Sequence, residues 1–580
     1  MKNTRDRGIN TNTFSAKDES RCGCSARSRA RRALASGVAG MLGWAVPDAY
    51  AQRYADAPPL SRSVSADTIL RADANVLAPG DGIAIVVDAR NARDMNGTRA
   101  RAPGPNSFAT GGNALAAGAD SIALGPQAWA AGDASLAAGV AAAAHHADAV
   151  AVGAGAKAKG EQSMAAGTLA LAASSGSTAV GVQSSATGAA STALGADAAA
   201  FGDGSIALGS GASANEFDSI ALGTAANAFA DETVAIGGSA SAEGTGSIAL
   251  GAEASALDDG SVAVGHGANA QASGGVAIGV AADASAEHGI ALGSSANASG
   301  SGAAAVGVSS NAAGVDSAAF GTNASALGDA SLAMGRRAIA TSDGNVAIGA
   351  DAHATASSGI AIGVGAHAEG ADSTVLGAGA RVGGTGGVAV GVAATATGND
   401  GLATGARAQA AGFRSTAIGA DATAAGDRST SVGNGASATA AHSIALGSDA
   451  VASGTNSVAL GRASVADRDD TVSVGAAGRE RKIAHVADGV LPSDAVNMRQ
   501  LHSVARRAYG GVAAATALSM IPDVDTGKTI AVGIGTGGYL GYQAVALGAS
   551  VRFGENLKLR AGASLNAATT TWGAGASYSW

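Results

Sequence analysis

The chain has 580 residues with a formal charge of −9; 88 residues are glycine and only 3% are aromatic. Large side chains that fill globular cores are scarce, so alanine must fill whatever interior exists, which favours a thin repetitive architecture over a thick globule. The acidic balance argues against nucleic-acid binding.

The first 51 residues read as a secretory signal. Arg27, Arg29, Arg31 and Arg32 precede an apolar stretch of 14 residues, Ala33 to Val46, and Ala49-Tyr50-Ala51 is a small-x-small cleavage site. The cut is expected between Ala51 and Gln52. The stretch is too short for a transmembrane helix, which needs roughly 20 apolar residues. Arg31-Arg32 could hint at twin-arginine export, but Ala33-Leu34 matches that signal poorly. Both cysteines, Cys22 and Cys24, lie in the removed segment. The mature chain would carry no thiol and a charge of −14, since nine basic and four acidic groups leave with the signal.

Residues 52–106 lie outside any repeat. Pro58-Pro59 and Pro103-Gly104-Pro105 read as loop, while Gly82 to Asp88 reads as one strand. The segment is either a cap on the first repeat or disordered.

From Gly111 to Gly475 glycine recurs every fourteen residues without insertion, giving 27 copies over residues 107–475. Most copies carry a Ser-Ile-Ala-Leu-Gly type segment, as in Ser205 to Gly209 and Ser247 to Gly251. Ile206 and Leu208 alternate with Ala207, and the paired alanines Ala212 and Ala214 share a face further on. Each copy is therefore expected to form one coil of a β-roll, two short strands and two turns. The marker glycine closes one strand, and a second glycine-rich position (Gly188, Gly202, Gly244, Gly300) closes the other, where a positive φ is expected. At one strand spacing of about 4.8 Å per coil, the copies would make a rod on the order of 130 Å.

On the first strand both faces are restricted, one to aliphatics and the other to alanine. The aliphatics are expected to meet the paired alanines inside the coil, leaving the alanine column (Ala207, Ala221, Ala235, Ala249) to pack on another chain. On the second strand the residue between the paired alanines varies among short polar types. That column, Ser213, Asn227, Ser241, Ser255, Asn269, Asp283, Asn297 and Asn311, is expected to face water.

After Gly475 comes a charged segment, Arg479-Glu480-Arg481-Lys482-Ile483, then Pro492-Ser493-Asp494, a helix-start signal. Met498, Leu501, Ala505, Ala508, Val512 and Ala515 follow at heptad spacing, and Pro522 ends the helix. The last stretch reads as four membrane-length strands. Ile530, Val532 and Ile534 alternate with Gly533 and Gly535; Val545, Leu547 and Val551 share a face; Leu557, Leu559, Ala561 and Leu565 oppose Lys558, Arg560 and Ser564; and Trp572, Tyr578 and Trp580 share a face. Four strands cannot close a barrel, and unpaired backbone in hydrocarbon costs several kcal/mol per group. Copies of the chain must complete the sheet, with the small lumen-facing glycines leaving room for helices.

This order of parts resembles the YadA-like trimeric autotransporter adhesins over essentially the whole chain. The fourteen-residue units resemble that family's head repeats. Val472-Ser473-Val474-Gly475, Arg479 to Ile483 and Asp494-Ala495-Val496-Asn497 resemble its neck, and Arg506-Arg507-Ala508-Tyr509-Gly510-Gly511 with the strands ending in Trp580 resembles its anchor. The resemblance implies an all-β protein with a short coiled coil. Its head would be a left-handed parallel β-roll, trimeric, followed by a neck and short coiled coil at 476–505. An anchor at 506–580 would form a 12-stranded transmembrane β-barrel from three chains with four strands each. It also implies an outer-membrane location with the head on the cell surface, export of the head through the anchor, and assembly with the cell's barrel-insertion machinery. The implied role is attachment to host cells or extracellular matrix, the alternative being a surface fibre for cell–cell aggregation and biofilm without a host ligand. The family's collagen-binding motif, Asn-Ser-Val-Ala-Ile-Gly-x-x-Ser, is approached by Asn456, Ser457, Val458, Ala459, Leu460, Gly461 and Ser464, with leucine in the isoleucine position. The chain departs from the pattern in having almost no stalk between neck and anchor.

No converging acid, base or nucleophile points to an enzyme, because a repeat spreads its polar residues along a line. No cofactor is expected. Gly533 to Gly538 superficially matches a nucleotide loop, but no helix follows it. His353 and His367 share a column one coil apart and could share a metal, although two imidazoles alone make a poor site.

Overall fold

The computed structural model describes residues 83–85 and 100–580. The expected secretory signal, with its expected cleavage point Ala51/Gln52, lies outside the described residues. Each fourteen-residue unit forms one coil with two short strands, such as Ile206–Leu208 and Ser213–Ala214. Every head strand pairs in parallel with its equivalent one coil on, for example Ile206 with Ile220 and Ser213 with Asn227. Because no unit carries an insertion, the register is i to i+14 throughout. Among the described residues this builds one sheet of 28 strands and a second of 26. Of the two additional strands of the first sheet, Ile83–Ile85 pairs with Phe108–Thr110 on the edge of the first coil, and Val472–Ser473 pairs with Val458–Leu460 at the other end.

The interior of the coil is the reverse of the sequence expectation. Ala207 and Ala249 are completely buried, together with the paired alanines Ala212, Ala214, Ala254 and Ala256, whereas Ile248 and Leu250 are 38% and 42% exposed. The alanine column thus packs inside the coil, and the aliphatics point out. Alternation assigns residues to two faces but leaves open which face is inner; here the space between the two sheets is filled almost wholly by alanine methyls, with valine at Val375 and Val382, and a core of isoleucine would force the sheets apart.

A second buried column belongs to serine. Ser121, Ser205 and Ser443 are buried, and each hydroxyl donates to the carbonyl three residues earlier, as Ser205 Oγ does to Gly202 O at 2.6 Å. In these coils the serine of the Ser-Ile-Ala-Leu-Gly segment closes the turn from inside. The marker glycine is required twice over: Gly209 has φ +139°, and a Cβ there would lie 2.3 Å from Gly223 O. The second glycine position works differently from expectation. Gly188 and Gly202 do not have positive φ, but a Cβ on either would lie within 2.0 Å of a carbonyl oxygen of the next coil. The left-handed residue of that turn sits two positions on, at Ala190 and Gly204.

Candidate functional site

The helix spans Met498–Ser519 and starts later than the proline signal suggested. Asp494 spends its carboxylate on the Val490 and Leu491 amides, both at 2.8 Å, and closes a turn there. Those bonds hold its carboxyl below the usual range. Asn497 is the true N-cap: its side chain accepts from the Gln500 amide while Gln500 Oε1 accepts from the Asn497 amide. The helix has two working faces. Gly510, Ala513, Ala514 and Ala517 are buried on its own sheet, while the heptad residues Met498, Leu501 and Val512 stay exposed.

That sheet has four antiparallel strands in chain order, Ile530–Tyr539, Tyr542–Phe553, Leu557–Asn566 and Thr570–Tyr578. Leu540 and Gly541, both with positive φ, make a two-residue turn between the paired Tyr539 and Tyr542. Strands of 9 to 12 residues are long enough to cross a bilayer when tilted. The faces divide as the sequence indicated. Val532, Ile534, Leu547, Leu565 and Trp572 are exposed, Trp572 by 80%. Gly535 and Gly537 lie against the end of the helix and Gly533 against Pro522 just after it; a Cβ on Gly535 would come 2.2 Å from Ala517 O. Among the described residues the first and fourth strands each pair on one edge only.

Polar side chains fix the helix to the sheet across long sequence distances. Arg560 donates to Leu518 O at 2.9 Å, Ser519 O at 3.1 Å and Ile521 O, so its guanidinium covers carbonyls at and just past the C-terminal end of the helix. Asn566 Nδ2 donates to Gly510 O at 2.7 Å while its Oδ1 accepts from the Ala568 and Thr569 amides. Tyr509 packs edge-on against Tyr539 at 5.8 Å. The sequence reading placed Arg560 on the lumen side but missed its capping role, and it missed Asn566; no local pattern announces either. Arg560→Met is expected to destabilise the anchor by about 1–2 kcal/mol, the scale of charge-assisted bonds lost to partly buried acceptors, with partial recovery in Arg560→Lys. The measurement is the temperature at which the folded anchor band is lost on a semi-native gel.

At the neck, Arg481 reaches back to the last coils, donating to Val474 O at 2.7 Å, to Ser464 Oγ and to Arg462 O. The motif-like segment divides by face. Ser457, Ala459 and Ser464 are buried, and the Ser457 hydroxyl donates to Gly454 O. Val458 and Leu460 point outward, Gly461 is half-buried in a positive-φ turn, and Asn456 is exposed and bonded to Asp470 at 2.8 Å.

The polar column from Ser213 and Asn227 through Ser241, Ser255, Asn269, Asp283, Asn297 and Asn311 lies on the outward face of the second sheet, half-buried. Its side chains bond along the stack, Asn269 to Asp283 at 3.2 Å and Asn297 to Asn311 at 2.9 Å. Burial pushes the Asp283 carboxyl up, partly offset by Asn269. His353 and His367 continue this column, with rings 4.9 Å apart and edge to face. Burial and the neighbouring imidazole lower His353. Among the described residues no three His, Cys, Asp or Glu side chains are grouped to hold a metal ion.

Comparison with known proteins gives three domain matches in chain order. The "YadA head domain repeat" matches repeatedly between residues 116 and 477, the "coiled stalk of trimeric autotransporter adhesin" matches 482–519, and the "YadA-like membrane anchor domain" matches 522–580. Among solved structures, the collagen-binding domain of Yersinia adhesin YadA is 30% identical, covering 28% of this chain and 82% of that one with a TM-score of 0.23. With head repeats over more than half its length, and stalk and anchor following in order, the chain belongs to the YadA-like trimeric autotransporter adhesins.

Proposed function

We propose that three copies of this chain stand on the bacterial surface and attach the cell to host cells or extracellular matrix through the outward head columns. In this reading the three anchors close one twelve-stranded barrel in outer-membrane lipid, through which the head is exported, and barrel-insertion machinery assists assembly. The observation that supports it most is the pair of outward aliphatic columns, with Ile206, Leu222, Ile248, Leu250, Ile290 and Leu292 all exposed on one chain. Contiguous apolar stripes of this length belong at an interface. The one-sided pairing of the outer anchor strands makes the same demand in the membrane, where open edges are not tolerated.

Association through the aliphatic columns leaves the polar face of the second sheet for ligands. The segment around Asn456 would contribute through Asn456, since its serines are spent on turns and Val458 and Leu460 lie in the aliphatic columns. Cells displaying the full chain should bind matrix proteins saturably, and cells without it should not. Strong clumping with no saturable binding would instead support a fibre for cell–cell aggregation.

A further inference from the structure

The head carries its charge unevenly. Residues 176–333 hold fourteen acidic side chains and no lysine or arginine. The coils before them, 107–175, hold four acidic side chains together with Lys157 and Lys159, the only lysines of the head, and Trp129, its only tryptophan. These coils are the part of the head farthest along the chain from the anchor.

The three side chains form one surface. Trp129, Ala143 and Lys157 are consecutive in the outward column of the second sheet. His145 lies two residues on from Ala143, on the same face, with its ring 4.7 Å from that of Trp129. Lys159 occupies the position of His145 one coil further. Ala143 is only 8% exposed although it faces outward, because the indole reaches across it towards His145. Trp129 itself remains 41% exposed, as a shallow aromatic platform. Lys157 and Lys159 are exposed, and among the described residues neither has an ion-pair partner. Burial, followed by the charges of Lys159, His146 and Lys157, holds the His145 imidazole below its ordinary value, which favours its neutral form, and the lysine cations stand beside it.

We propose that this patch binds a sulfated polysaccharide, with the indole stacked on the C–H face of a sugar ring and the two lysines paired with sulfates; the idea rests on the adhesin reading. An exposed flat ring beside free cations suits a saccharide chain laid along a surface, which needs no enclosed pocket. The cations are lysines, compact point charges that can pair with a sulfate from any direction. The acidic coils that follow repel a polyanion and confine it to the tip.

The test is retention of the full-length protein, solubilised in detergent, on immobilised heparin at about 0.05 M salt, where charge attraction is weakly screened. The wild type should be retained and released as salt rises. Trp129→Ala and the pair Lys157→Gln/Lys159→Gln should each weaken retention by about tenfold, equivalent to about 1.4 kcal/mol. Desulfated heparin should bind as weakly as the variants do to heparin. Unchanged protease resistance of the head would show that the variants are folded; if Trp129→Ala fails that check, the lysine pair decides. A wild type that is not retained, lysine variants retained equally, or equal retention on desulfated heparin or polyglutamate would overturn the proposal. Matrix attachment by cells displaying the chain, measured in parallel, separates the two readings: intact attachment without heparin retention overturns this proposal alone, and loss of both overturns the adhesin reading.

Discussion

Ala249→Glu should break the head, while Ser241→Glu, eight residues away on the outward column, should be tolerated. Ala249 is completely buried, in register with Ala235 and Ala263 and facing the paired alanines. A carboxylate there must either ionise without a partner, at a cost of several kcal/mol, or protonate and still wedge the sheets apart. Each coil is held only by its neighbours, so one failed coil divides the stack into two shorter ones. Limited proteolysis of the displayed protein should therefore give a new cut near residue 249 in the first variant and none in the second.

The outward columns make the complementary case. Replacing Ile206, Ile220, Val234 and Ile248 together by serine leaves the coil interior untouched and removes apolar area from the surface. At about 25 cal/mol per Å², each half-exposed aliphatic covered by a neighbouring chain contributes roughly 1 kcal/mol to association. Cross-linking between chains should fall across these coils while protease resistance within them persists. Equal effects of the interior and outward changes would show this assignment of faces to be wrong.

Gly535→Val should prevent assembly of the anchor, whereas Gly575→Ala should be close to silent. The helix lies directly on the first anchor strand at Gly535, where a Cβ would meet Ala517 O at 2.2 Å and Ile521 N at 3.1 Å. Both are backbone atoms, so no rotamer relieves the clash and the helix must lift off, breaking the Arg560 cap as well. Overpacking alone costs about 1–3 kcal/mol, and three copies of the defect would meet in one lumen. At Gly575 nothing lies within 4 Å of the added carbon. The readout is the amount of folded, heat-modifiable anchor in the outer-membrane fraction. Normal levels for Gly535→Val would mean that the helix does not occupy the lumen face.

The fourteen-residue period by itself determined the coil, its two strands and the i to i+14 register, because an uninterrupted repeat leaves stacked strands no other pairing. The two-residue alternation in the anchor strands likewise determined their faces, because large aliphatics alternate there with glycine, lysine and arginine and the contrast leaves no doubt about polarity. In the head strands both alternating positions are apolar, so the same periodicity defined a partition without a direction. Only the tertiary structure decided that alanine is inside, because the answer depends on how closely the two sheets approach. The same holds for the crowded Gly188 and Gly202 turns, the Asn497 cap, and the contacts of Arg560 and Asn566 with a helix 41 to 56 residues away. Such contacts arise from close approach in space, which no local pattern along the chain records.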